Sequence, residues 1–294
     1  MKKIDSGWDE SGRNIYKDKV NSLNEAPTRT INLAKEGNVT VSTIVNNNNM
    51  FWDKIDGRLG WEKQTFDIFR KYVTPETIVI DFGTWIGPTL LFHGQFSKKS
   101  YGIEADPAAY AVAEYNIRQN RDREWGPHVS VESACVSAPE HVGTMTMKSR
   151  IPGESMSGIT EKLARHNGWA WEVQCYTLPS ILEYWGVNLS IQPVMLKIDV
   201  ESYECQLVPS FYDWLKDQPS LPTIYVSFHP QIADCTDDQW ASVLEVFKLY
   251  QTVKCKADTT TMPIRSETTF EEFQEMKSSL EWKRSSEFVL SGKR

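Results

Sequence analysis

The sequence predicts an α/β fold, a mostly parallel sheet wrapped by helices on both faces. Three observations predict it. From Thr77 onward, short β-branched or apolar runs alternate with stretches of helical periodicity. The run Thr77-Ile78-Val79-Ile80 leads into "DFGTWIGPT", residues 81 to 89, a glycine turn between a strand and a helix start. Further on, Val194-Met195-Leu196 reads as a buried strand that ends in the alternating charged residues Lys197, Asp199 and Glu201.

The chain has 294 residues, 40% hydrophobic and 24% charged, enough for one large core or one domain with an extension. Residues 1–50 are expected to be an N-terminal extension, partly mobile, with the start of a β-hairpin, and residues 51–294 the α/β domain. Within the extension a short helix is expected near Ile15 to Leu23. "GNVTVSTIV" then alternates as a strand should, and "MFWDKI" after the asparagine loop at 47–49 is expected to be its partner. "WEKQTFDIFRKY", 61–72, repeats apolar residues at helical spacing until Thr74-Pro75 stops it. Strands follow at 77–81, 100–104, 129–132, 193–199, 222–228 and 249–256. Helices are expected near 88–96, 107–120, 178–186, 204–215 and 236–248, then a last helix in "FEEFQEMKSSLEW" and an edge strand in "SSEFVLSGK". The long stretch 137–177 stands apart, and connections of that length are usually functional or disordered.

Composition narrows the partners. A net charge of -7 disfavours nucleic acid, whose phosphates need a dense basic surface. Five cysteines, scattered at 135, 175, 205, 235 and 255 without a CxxC pair, suggest neither a disulfide framework nor a zinc site. The start "MKKIDSGWDE" lacks the apolar stretch of a signal peptide, and no segment approaches the roughly 20 apolar residues of a membrane span. These features predict a cytoplasmic protein in reducing conditions.

The glycine turn narrows the ligand. Gly83 can take the positive φ of a sharp turn, Gly87 lets the chain pass close to a neighbour, and Pro88 suits the first helical turn. A dinucleotide fingerprint would need glycines where Trp85 and Pro88 stand, and no GKS or GKT is present for a P-loop. DxGxxxG suits instead a cofactor with a ribose and a positive charge but no phosphate, S-adenosyl-L-methionine. Glu104 ends the next strand roughly 20 residues past the turn, where a carboxylate would bond ribose hydroxyls. Asp106 reads as a helix N-cap followed by Pro107. His229, at the end of "TIYVSFHP", is placed to act as a base near neutral pH.

Four stretches in order, "VIDFGTWIG", "YGIEADPAAYAVAEYNIRQN", "LPSILEYWG" and above all "MLKIDVESYE", resemble the FkbM family of S-adenosylmethionine-dependent methyltransferases. The resemblance covers roughly residues 60 to 290. It implies a Rossmann-like methyltransferase sheet of seven strands, the last antiparallel, and O-methyl transfer to a sugar, glycan or polyketide-type hydroxyl. By position it implies that Asp81, Gly83 and Gly87, with Thr84 and Trp85 between them, form the cofactor turn. Glu104 would hold the ribose with Ala105 beside it, and Ser133, Ala134 and Cys135 would flank the adenine. Lys197, Asp199 and Glu201 would occupy the signature strand end. Trp85 departs from the small polar residue common there, and Ser202-Tyr203 replace the signature's Gly-Ala.

Two routes to proton removal are open. His229, with Asp199 and Lys197 beside it, could serve as general base, or Asp199 and Glu201 could hold magnesium that acidifies the hydroxyl. Trp169 and Trp171 could offer flat faces to a sugar ring, and the segment 149–168 could form a lid. The expected partner is a small-molecule or glycan acceptor. Competing readings are nitrogen methylation, which lacks its [DN]PP[YFW] signature here, and a non-catalytic module that keeps the fold.

Overall fold

The structure, a computed structural model, describes residues 26–43, 51–155, 157–158, 169–230, 232, 234–255, 260–279 and 287–293. The helix expected near Ile15 to Leu23 lies outside them. The described chain opens with β1 (Thr28–Leu33) and β2 (Gly37–Ser42), an antiparallel hairpin. This corrects the expected pairing: Trp52–Lys54 is a single 3₁₀ turn, and β2 pairs upstream instead. Phe51, Trp52 and Ile55 are all buried, a pattern no alternating strand gives, and the Trp52 indole N–H donates to the Ser42 carbonyl at 2.9 Å. The hairpin docks through Asn116 and Asn120, whose side-chain oxygens accept the Ser42 and Thr40 amides, both at 2.8 Å.

The wound sheet then builds in order: α1 (Lys63–Tyr72), β3 (Ile78–Phe82), α2 (Pro88–Gly94), β4 (Lys99–Glu104), α3 (Pro107–Arg118) and β5 (Val129–Ser133). Asp106 caps α3 as expected, its carboxylate accepting the Ala108 and Ala109 amides. The long connection and the two residues before it hold three strands that the sequence reading missed: β6 (Cys135–Val136), β7 (Gly143–Ser149) and β8 (Trp169–Tyr176), a separate sheet in the order β6-β8-β7. Along β8, Trp171, Val173 and Cys175 are buried and alternate with more exposed residues, the period-two signature of a half-buried strand.

After it come α4 (Leu178–Tyr184), β9 (Val194–Ile198), α5 (Glu204–Ser210), α6 (Tyr212–Leu215) and β10 (Thr223–Ser227). α7 (Asp237–Phe247), β11 (Tyr250–Cys255), β12 (Thr260–Met262), α8 (Phe270–Ser279) and β13 (Glu287–Lys293) close the chain. The single helix expected over 204–215 is divided at Phe211, just past Pro209, which has no N–H to give the helix ladder.

The large sheet runs β12-β11-β13-β10-β9-β3-β4-β5. Strands β5, β4, β3, β9 and β10 are mutually parallel, and β13 inserts antiparallel between β10 and β11. The Rossmann-like sheet with an antiparallel last strand is therefore present, with β12 added as an eighth strand at its edge. Ile78, Ile80 and Phe82 face one core and Val79 the other, so β3 is covered on both faces. From β3 the chain winds outward through β4 and β5, whereas β9 starts the other half on its opposite side. The carboxyl ends of β3 and β9 thus frame the switch-point crevice.

The cysteines correct another expectation. Cys135 is disulfide-bonded to Cys175 across the paired β6 and β8, and Cys205 to Cys235, while Cys255 is buried. Separations of 40 and 30 residues hid partners that only the tertiary fold brings together. Such pairs persist under oxidising conditions, so the cysteines no longer argue for a reducing compartment. Among the described residues no helix is long and apolar enough to cross a membrane.

Candidate active site

At the end of β3 the chain turns through Gly83 at φ 78°. A Cβ at Gly83 would overlap the Asp199 carbonyl oxygen, so glycine is what lets the β3 and β9 ends approach. Gly87, at φ 90°, caps α2. Between them Trp85 is also left-handed, at φ 51°. A bulky residue there costs about 1–2 kcal/mol. Its surroundings hold it: the backbone N–H donates to Glu104 Oε2 at 2.6 Å and the indole N–H to the Gly153 carbonyl at 2.9 Å. Its ring packs edge-on to Phe51 at 4.7 Å, with Trp61 at 6.3 Å.

Glu104 is the opposite wall. Its Oε1 accepts the Asp106 amide at 2.8 Å, so each oxygen is fixed by one backbone N–H and keeps a lone pair toward the crevice. Burial, with the nearby Asp106 charge, pushes its carboxyl up to about 7 against the pull of those two N–H bonds.

Beneath the turn lies a buried ion network. Lys197, 2% exposed, places Nζ 3.0 Å from Asp81 Oδ1, 3.3 Å from Asp199 Oδ2 and 3.2 Å from the Gly83 carbonyl. Burial opposes the ammonium, but the Asp81 and Asp199 charges outweigh it and raise its pKa. Asp81, fully buried, also accepts the Thr89 hydroxyl at 2.6 Å. Burial would raise its carboxyl, but Lys197 and His93 overcome that and hold it low.

Beyond β9 the chain passes through two consecutive left-handed residues, Glu201 at φ 46° and Ser202 at φ 82°. Ser202 stands where the signature has glycine, and its amide donates to Glu204 Oε2 at 3.1 Å. Glu204, 1% exposed, also accepts the Val200 amide at 3.1 Å and bonds His229 Nδ1 at 2.9 Å. On the other ring edge, His229 Nε2 faces Asp199 Oδ1 at 3.3 Å and Glu201 Oε2 at 3.7 Å. Burial works against a charged imidazole, but the Glu204 bond and the charges of Glu204, Asp199 and Glu201 push His229 up to about 10. Burial and the Asp199 and Glu204 charges push Glu201 up to about 7, against His229.

These walls line an open cleft, about 1090 Å³ when the solvent-filled space at its mouth is counted. Of the residues expected at the cofactor, Gly83, Thr84, Trp85, Glu104, Ala105, Ala134, Cys135 and Asp199 line it. Lys197 and Glu201 line it too. Asp81, Gly87, Ser133 and His229 do not: Asp81 lies under the floor, bonded to Lys197, and His229 sits behind Asp199 and Glu201. Trp171 is no sugar platform, being buried in the small sheet with its indole N–H on the Ala105 carbonyl.

Other cleft residues were not anticipated. Met145 and Met147 of β7 supply apolar wall, and Glu62 stands with Trp61. Tyr203, already singled out as a departure from the signature, lines the cleft too, its hydroxyl 2.7 Å from His141 Nδ1. Met145 and Met147 are spaced for one face of a strand, a signal available in the sequence; the Tyr203–His141 pair, 62 residues apart, left none. From the expected lid, Glu154, Ser155 and Ser157 line the cleft, while 159–168 lie outside the described residues. Asp106 Oδ2 fastens this segment, accepting the Gly153 amide at 2.7 Å and the Ser157 hydroxyl at 3.0 Å.

No protein-family model matches the chain, and no curated protein matches it. Solved structures similar to it include the methyltransferase FkbM from Methylobacillus flagellatus KT, at 11% identity and TM-score 0.37, covering 77% of this chain and 50% of that one. The chain thus spans half that protein's length. Geranyl diphosphate methyltransferase, in complex with geranyl diphosphate and sinefungin, matches at 11% and 0.37 over 82% of this chain and 78% of its own. An rRNA methylase from Streptococcus thermophilus matches at 11% and 0.34 over 65% and 83%. At such values the architecture rests on the sheet itself, and the solved structures it is similar to include S-adenosylmethionine-dependent methyltransferases, an FkbM methyltransferase among them.

Proposed function

We propose that the protein is an S-adenosylmethionine-dependent O-methyltransferase whose acceptor is a hydroxyl of a sugar or glycan. The observation that carries the cofactor is Glu104: a buried carboxylate at the second strand end, held by two backbone N–H groups, with acceptor capacity left for a ribose diol. The rest of the cleft fits the same group. The Gly83–Trp85 turn brings backbone to its edge, Ala134, Cys135, Met145 and Met147 offer an apolar face to an adenine, and Asp199 and Glu201 give a cationic centre a negative wall.

S-adenosylmethionine, when bound, supplies a methyl group on a sulfonium, displaced in line by the acceptor oxygen. The chain's own task is to orient that oxygen and remove its proton. Lys197 pairs with Asp199 at 3.3 Å, and Asp199 and Glu201 line the cleft with carboxylates. His229 stands behind them, and its carboxylate neighbours keep it charged at neutral pH, a state with no lone pair to accept a proton. Without a bound ion, removal of the proton therefore falls to the Asp199 and Glu201 carboxylates rather than to His229.

The test is transfer of labelled methyl to free sugars, glycan fragments, small alcohols and amines. A labelled, alkali-stable methyl ether on a sugar is the expected product; label on nitrogen, or on non-sugar alcohols alone, contradicts the reading. Cofactor binding is also expected to depend on pH. Ribose hydroxyls bond the ionised Glu104, which in the empty site titrates near 7, so affinity should rise up to about tenfold per unit from pH 5 to 7 and then level off. For folding the sign is opposite: a carboxyl raised from 4.5 to about 7 lowers stability as pH rises through that window. Calorimetric titrations at pH 5.5 and 7.5 with equal affinity would remove Glu104 from the ribose.

A further inference from the structure

We propose that Asp199, Glu201 and His229 form a divalent-cation site on the cleft wall, with Glu204 as its positioning residue. One ligand atom from each of the three lies within 4.8 Å of the others. His229 Nε2 stands 3.3 Å from Asp199 Oδ1 and 3.7 Å from Glu201 Oε2, too far for good hydrogen bonds. Ligand atoms bound at ~2.1 Å around one ion stand about 3.0 Å apart in an octahedron and about 3.4 Å in a tetrahedron. The 3.3 Å separation falls within that range and the 3.7 Å one just beyond it.

The ring's other edge points the same way. Glu204 accepts two backbone amides besides His229, so it is the acceptor and Nδ1–H the donor. That orients the ring with Nε2 toward the two carboxylates, where an ion would take the place of the proton that Nε2 carries in the charged ring, as in metal sites where a second carboxylate orients the histidine. Glu201 Oε2 is fully buried and has no hydrogen-bond partner. The charged His229 ring lies 3.7 Å away, beyond hydrogen-bond reach, and a closer cation would satisfy this oxygen better.

Charge is unbalanced in the same direction. Asp199, Glu201 and Glu204 surround His229, and Glu287 adds its charge from β13, its Oε2 also buried without a hydrogen-bond partner. Lys197 divides its single charge between Asp81 and Asp199. Two carboxylates and one imidazole suit a hard or borderline ion such as magnesium or manganese. This inference rests on the methyltransferase reading for its purpose: a hydroxyl beside the ion loses its proton to bulk water more readily, and the electron pair it keeps is the one that bonds the methyl carbon.

Manganese alone is the probe, followed by loss of the free-ion paramagnetic resonance signal, with S-adenosylmethionine titrated separately by calorimetry. One Mn²⁺ should bind per wild-type chain. Glu201→Gln and His229→Ala should each weaken it at least 10-fold, and Glu204→Gln 10- to 100-fold by releasing the ring. Melting curves confirm that each variant is folded, and if one is not, the other two carry the test. Wild-type chain that leaves millimolar Mn²⁺ free, or variants that bind it as wild type does, overturns the cation site. Intact cofactor binding in that case spares the methyltransferase reading, whereas Mn²⁺ bound with no cofactor affinity overturns that reading and leaves the site standing.

Discussion

Replacing Glu104 with alanine is expected to weaken S-adenosylmethionine binding by roughly 100-fold or more while the sheet stays folded. A hydrogen bond to a charged group contributes about 1.5–3 kcal/mol, and a ribose diol can make two to this carboxylate. The change acts on the turn as well. Without Glu104 the Trp85 and Asp106 amides lose their acceptors, and Trp85, held left-handed partly by that bond, loses an anchor. Calorimetry gives the affinity and circular dichroism the fold; an affinity within threefold of wild type in a folded variant would contradict the assignment.

Lys197→Met is expected to strike stability hardest. It leaves Asp81, fully buried, and Asp199 without their shared cation, and removing one partner of a buried ion pair costs about 3–5 kcal/mol. For a chain of this size that is a fall in Tm of roughly 10 °C. Adding Asp81→Asn to the variant should recover part of it, since the orphaned charge is then gone. A Tm within about 2 °C of wild type would show that Lys197 does not hold the floor of the site.

The wound sheet could be read from the chain because its signals are local. Asp106-Pro107 starts α3, the β-branched run 77–80 makes β3, and the glycine turn marks the crevice by itself. The signature strand end was also legible, though for a partly different reason. Lys197 and Asp199 do converge, but Glu201 reaches the group through a left-handed turn rather than by strand alternation. What stayed hidden depends on contacts distant in sequence. Cys135 and Cys175 meet only because β6 and β8 pair, and Glu204 becomes the partner of His229 only when α5 and β10 are adjacent in space. Trp85, which excluded dinucleotides as a misfit in a fingerprint, proves to be a strained residue tied to Glu104 and Gly153, joining the glycine turn to the segment that lines the cleft at Glu154 and Ser157.

The claim on which the rest depends is that this cleft is an S-adenosylmethionine site. Titrating the wild-type chain calorimetrically with S-adenosylmethionine, and in parallel with NADH, tests it most directly. Saturation at one S-adenosylmethionine per chain with no response to NADH is the predicted result. A folded chain that ignores S-adenosylmethionine, or that binds NADH instead, would contradict it.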